Sequence, residues 1–178
     1  MSRKYLLSEV AAVVGIPVGA LRNWVQRKQF WFDDDEDLTA PAAGLPHQIG
    51  ERSLMRVAIM ARLTRVDGLF AGRAWEITSA FTEFGDIGIV GLDEEVRGPG
   101  EMYKGERFTT FLVAAGHGQR PLVVKADREA GYIELVATML EHTSAIVINL
   151  NRLHESVAAG LAAVRDKEVG RMSQTVDA

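Results

Sequence analysis

Five polar side chains close together at residues 22–28 carry the clearest chemistry in the chain: Arg22, Asn23, Gln26, Arg27 and Lys28. Arginine can bridge phosphate oxygens or the paired acceptors of guanine, and asparagine or glutamine can pair with adenine. Set against these are four histidines (His47, His117, His142 and His154) and a run of acids from Asp33 to Asp37. Glu141-His142 and His154-Glu155 offer two nitrogens and two carboxylates to a metal, but no histidine pair sits at i, i+4 and no HExxH is present, so no metal is expected. Gly116-His117-Gly118 suits a hairpin turn better than a phosphate loop, because no helix bearing Gly-Lys follows it. Ser144, His142 and Asp127 would make only an arbitrary triad. No catalytic residue and no cofactor are expected, and the chain does not read as an enzyme.

The acidic run reads first as a solvated loop. Its consecutive acids lack the alternating spacing of a calcium loop. An acidic loop could also repel unsuitable DNA or imitate phosphates.

The cationic group needs a helix to present it. Leu7, Val10, Ala11 and Val14 fall on one helical face, and Gly15 is a suitable stop. Pro17 suits the opening of a second helix, to about Lys28, in which Leu21, Trp24 and Val25 form the apolar side. Phe30, Trp31 and Phe32 then form an apolar exit expected to pack beneath both helices. Residues 53–65 form another helix, with Arg52, Arg56, Arg62 and Arg65 on its wet side, and residues 71–84 a fourth.

Beyond Gly85 the character changes. Strands are expected at 87–92, 108–115, 121–126 and 145–150, and helices at 132–142 and 152–167, the last capped by Asn151. A disordered tail is expected after Gly170. The expected fold class is therefore α+β. Its domains would be residues 1–85, helical and DNA-binding, and 86–169, a small α/β domain for dimerisation or partner binding, with 170–178 as the tail.

Charge is unevenly distributed. The 178 residues carry a net charge of −4. Arg3, Lys4, Arg22, Arg27 and Lys28 face only Glu9 within the first 32 residues, whereas the C-terminal portion is acidic. Such asymmetry suits a basic binding head joined to an assembly or partner domain. With no cysteine, disulfides, thiolate metal sites and cysteine nucleophiles are excluded. Ser8 and Glu9 interrupt the apolar N-terminal run, so neither a signal peptide nor a membrane association is expected, and the expected location is cytoplasmic.

Ser8 to Phe32, followed by residues 52–84, resembles the DNA-binding domain of the MerR family. The resemblance rests on the helix SEVAAVVG, on the leucine-arginine-x-aromatic element Leu21, Arg22, Asn23 and Trp24, and on the junction from Leu63 to Gly68. It covers about residues 5–84. It implies a winged helix-turn-helix whose second helix enters the major groove, with Arg22 and Trp24 at positions that contact the DNA backbone and Asn23, Gln26, Arg27 and Lys28 available nearby. In place of a basic wing the chain has an acidic, proline-containing stretch, where His47, Gln48 and Arg52 are the polar residues suited to phosphate. The long dimerising coiled coil and the metal-binding cysteines of many members are absent, so familiar metal or redox sensing is not implied.

The leading expectation is sequence-specific binding of double-stranded DNA by a homodimeric transcription regulator. The alternatives are a protein-partner or small-ligand sensing module built on the acidic C-terminal half, and an architectural DNA binder of the phage excisionase type.

Overall fold

The computed structural model describes residues 3–33, 35–39, 46–86, 96–116, 119–142 and 144–176, with side chains described as far as residue 166. The fold is α+β. The described residues form six helices and two small antiparallel sheets, in the order β1 (Tyr5–Leu6), α1 (Leu7–Val14), α2 (Val18–Gln26), β2 (Gln48–Ile49), α3 (Glu51–Arg65), α4 (Ala71–Thr82), β3 (Phe108–Ala115), β4 (Leu122–Asp127), α5 (Ile133–Leu140), β5 (Ala145–Asn149) and α6 (Leu150–Val176). None of the helices is long and apolar enough, among the described residues, to cross a membrane.

Two compact units are present. One comprises residues 1–61 with 154–178, the other residues 62–153. The borders fall inside α3 and α6, and residue 85 lies within the second unit.

In the first unit, α1 ends at Gly15, whose φ of 70° is left-handed and costs glycine little. Ser8 does not cap α1. Leu6 holds that position, and the Glu9 carboxylate accepts the Leu6 N–H at 2.6 Å. Pro17 stands at the N-cap of α2, just outside the helix. Val10, Ala11, Leu21, Phe30, Ile49 and Val57 are all buried here. Of the aromatic exit only Phe30 is fully buried, and Trp31 is exposed. The α6 segment packs so closely on α1 that a Cβ at Gly160 would lie 2.9 Å from Val13 Cγ1.

In the second unit the sheet order is β4-β3-β5, with β3 central and antiparallel to both neighbours. Phe111 and Val113 of β3, with Val124 and Ala126 of β4, share the face covered by Leu135 of α5. Residues 87–92, expected as a strand, lie outside the described residues. The cap of the last helix differs from expectation. Asn151 is inside α6, where its side-chain oxygen accepts the Thr110 N–H at 2.7 Å; the Asn149 side chain instead accepts the N–H of Arg152. The α6 backbone also continues to Val176, past the expected end near Lys167.

Residues 96–103 return to close α4. Buried Arg97 donates to the carbonyls of Phe81 and Phe84, at 3.2 and 2.7 Å, satisfying oxygens that the helix end leaves free. Tyr103 is buried beside it. That burial, reinforced by a hydrogen bond and the negative charge of Asp86, pushes the Tyr103 phenol up to about 12 against the opposing pull of Arg97. The folded chain thus holds this proton at a pH where the unfolded chain, at about 10, has released it. Stability from this source is intact below about pH 10 and is lost as pH climbs toward 12. Tyr103→Phe should flatten that alkaline decline, measured as denaturation midpoints on either side of pH 10.

Candidate nucleic-acid interface

Helix α2 divides cleanly by exposure. Leu21 and Trp24 face the core, Trp24 with only 9% of its surface exposed. Arg22, Asn23, Gln26, Arg27 and Lys28 are exposed. Trp24 therefore anchors the helix to the core and is withdrawn from the surface that could meet a ligand. Lys28 leaves the helix with a left-handed φ of 53°.

Arg22 and Gln26, one turn apart, line a cleft of about 270 Å³ with Leu7, Ser8, Pro46 and His47. The start of α1, the middle of α2 and the approach to β2 thus converge on one concavity carrying a guanidinium, an amide, a hydroxyl and an imidazole. The His47 ring stacks on Phe32 with centroids 4.7 Å apart, which ties this side of the cleft to the aromatic exit of α2. Asn23, Arg27 and Lys28 do not line the cleft. Ser8 and Pro46 were missing from the expected site residues; a hydroxyl in the first turn of α1 was the available signal for Ser8.

Gln48 belongs to β2. It sits opposite Leu6 of β1, and its N–H and carbonyl also exchange hydrogen bonds with Leu38 at 3.0 and 2.8 Å. Backbone from three parts of the chain is thereby paired side by side; residues 40–45 lie outside the described residues.

The acidic run is built into the fold, in contrast to the solvated loop expected from its composition. Asp37 is buried; its carboxylate accepts the Gly50 N–H at 2.7 Å, the Ser53 hydroxyl at 2.6 Å and the Asp33 N–H at 2.6 Å. Glu36 accepts the Arg52 N–H at 3.1 Å. These carboxylates satisfy donors at the start of α3 and sit at the positive end of its dipole. Lys4 donates to the Glu36 carbonyl. Gly50 is needed for this approach, since a Cβ there would lie 2.8 Å from the Glu36 side chain. Asp34 is outside the described residues.

Arg52 is held by the same acids, 2.9 Å from Asp33 and 3.5 Å from Glu36. Its guanidinium is occupied in the fold. Arg56, expected on a wet face, is buried and donates to the Trp31 carbonyl at 3.1 Å. The exposed cations of this face are consequently those of α2. Surfaces of this kind can donate to phosphate oxygens and to base edges at once.

No family model matches the chain, and a search of curated proteins finds no significant match.

These environments separate two classes of substitution. Asp37→Ala strands buried donors and should cost about 2–3 kcal/mol of stability. Arg22→Ala and Arg27→Ala remove exposed side chains and should stay within about 0.5 kcal/mol. Urea denaturation of the three variants checks the contrast.

Proposed function

We propose that the chain binds double-stranded DNA sequence-specifically as a homodimeric transcription regulator, with α2 as the helix that enters the major groove. The observation that carries this reading is the exposed row Arg22, Asn23, Gln26 and Arg27 on a helix fixed to the core by Leu21 and Trp24. A groove-reading helix needs this division: one side immobilised, the other rich in donors. The antiparallel pairing of Leu38 with Gln48, continued onto β1, supports a winged helix-turn-helix with a short wing. His47 lines the same cleft as Arg22, which supports its meeting a phosphate that flanks the groove in this reading. Arg52 acts in this reading as a brace for the wing, because its charge is already met by Asp33 and Glu36.

The wing's acids restrict the basic surface to α2 and its surroundings. A small cationic area gives limited affinity from one head. Two heads related by a two-fold axis would read half-sites spaced by whole helical turns and raise affinity together. An excisionase-like architectural role has no observation of its own beyond the shared helical head.

Fluorescence anisotropy of labelled duplexes, titrated at several salt concentrations, tests the reading. Selected DNA should bind far more tightly than random DNA, with affinity falling steeply as salt rises. Arg22→Ala should weaken binding about tenfold or more and reduce the salt slope if it meets phosphate, whereas Asn23→Ala should relax sequence preference. Absence of binding at low salt ends the proposal.

A second reading, small-ligand sensing by residues 62–153, draws on a separate cleft of about 290 Å³. Its walls are largely apolar, from Leu69, Ile77, Ala114 and Ile146, and Arg73 also lines it, its guanidinium paired with the exposed Glu76 carboxylate at 2.9 Å, which an incoming acid would have to displace. An apolar pocket with one guanidinium suits a small amphipathic carboxylate. Thermal-shift titration with short aliphatic and aromatic acids should raise Tm, and Arg73→Ala should abolish the rise; no shift with any acid removes this reading.

A further inference from the structure

Helix α5 has two apolar sides, and only one is covered. Leu135 is buried against Phe111, Val113, Val124 and Ala126 of the sheet. On the outward side Ile133, Val136 and Leu140 recur at i, i+3 and i+7 with Met139 beside them, and they are 65, 48, 80 and 41% exposed. Leu122 of β4, on the α5 side of the sheet by strand alternation with Val124 and Ala126, is another 46% exposed. A solvated helix face ordinarily carries charge. This stripe carries none.

We propose that the outward face of α5 joins two copies of the chain, the two helices packing antiparallel about a two-fold axis near Val136 and Met139. The proposal supplies the interface for the dimeric DNA reader above and rests on that reading for its biological purpose, but its chemistry is independent of DNA.

Area and charge both point to a second copy. The five side chains leave on the order of 500 Å² uncovered, in the range where exposed apolar patches mark contact sites. Flanking atoms would bring this toward the roughly 800 Å² per partner of a standard interface. The flanking charges are mixed in sign: Arg120 and Arg128 with Glu129, Glu134 and Glu141, all exposed. A foreign partner selected by electrostatics would call for a border of one sign, and such a border would repel its own copy. Here a two-fold axis turns the end of one α5 that carries Arg128, Glu129 and Glu134 toward the Glu141 end of the other, so that Arg128 is set to meet Glu141 across the seam while the two remaining acids can turn to solvent at its rim.

Sedimentation equilibrium of the full chain without DNA tests this. The wild type should be dimeric at about 10 μM, and Val136→Glu combined with Leu140→Glu should weaken association at least about 100-fold, because it places charges in a desolvated centre. Since the chain has no cysteine, Val136→Cys adds a single thiol, and oxidation should yield a disulfide-linked dimer. This second variant decides the matter if the double glutamate chain loses its helical circular dichroism. A wild type that stays monomeric to about 100 μM overturns the proposal and leaves the face to a different protein. A dimer that survives both glutamates while Val136→Cys fails to cross-link overturns it as well. An α5-dependent dimer that binds no DNA upholds this interface while removing the DNA reading. DNA binding by a dimer indifferent to both α5 variants does the reverse.

Discussion

A buried carboxylate persists in a fold only where hydrogen bonds saturate it, and Asp37 is saturated by three donors from separate places in the chain. One donor is Asp33, which follows α2. The other two, Gly50 and Ser53, start α3. The carboxylate therefore pins both ends of the intervening segment and sets where β2 and α3 begin. That in turn places Gln48 opposite Leu6 and brings His47 toward Arg22. The surface presented by α2 depends on an acid that never reaches that surface.

This arrangement resolves an electrostatic conflict. Four described acids near a basic helix would cancel its field if their carboxylates faced the same solvent. Asp33 and Glu36 are instead turned toward Arg52 and the start of α3 and Asp37 is enclosed, so that of the four only Asp35 is exposed. Short, partly buried pairs are screened less by salt and by water than exposed ones. Their charge is spent locally, leaving Arg22, Arg27 and Lys28 exposed as the cations of the α2 face.

Local pattern made much of the fold legible. Apolar spacing in α1 and α2, and the glycine at position 15, located those helices to within a residue or two at most ends. The strands at 108–115 and 145–149 were equally plain from their β-branched runs. Long-range partners were not legible. Nothing near Asp37 in sequence announces that Gly50 and Ser53 will meet it, so composition suggested a solvated loop. Arg56 has the spacing of a wet residue, yet it is buried, with the Trp31 carbonyl, 25 positions away, accepting a hydrogen bond from its guanidinium. Arg52 was readable as a phosphate ligand only while its acidic partners were unknown. Within the candidate site, Arg22 and Gln26 were placed by helical periodicity, whereas Ser8 and Pro46 join them through tertiary contact alone.

The meeting of Gly160 with Val13 ties the beginning of the chain to its last helix. During synthesis α1 and α2 leave the ribosome long before the residues that cover α1 exist. At typical translation rates the delay is on the order of ten seconds. In that interval Val13 lacks its cover and the N-terminal unit is unfinished, so its assembly waits for the whole intervening sheet to be made. A fragment ending near residue 85 would stay in that unfinished state permanently, and the order of birth along the polypeptide is here the reverse of the order of completion.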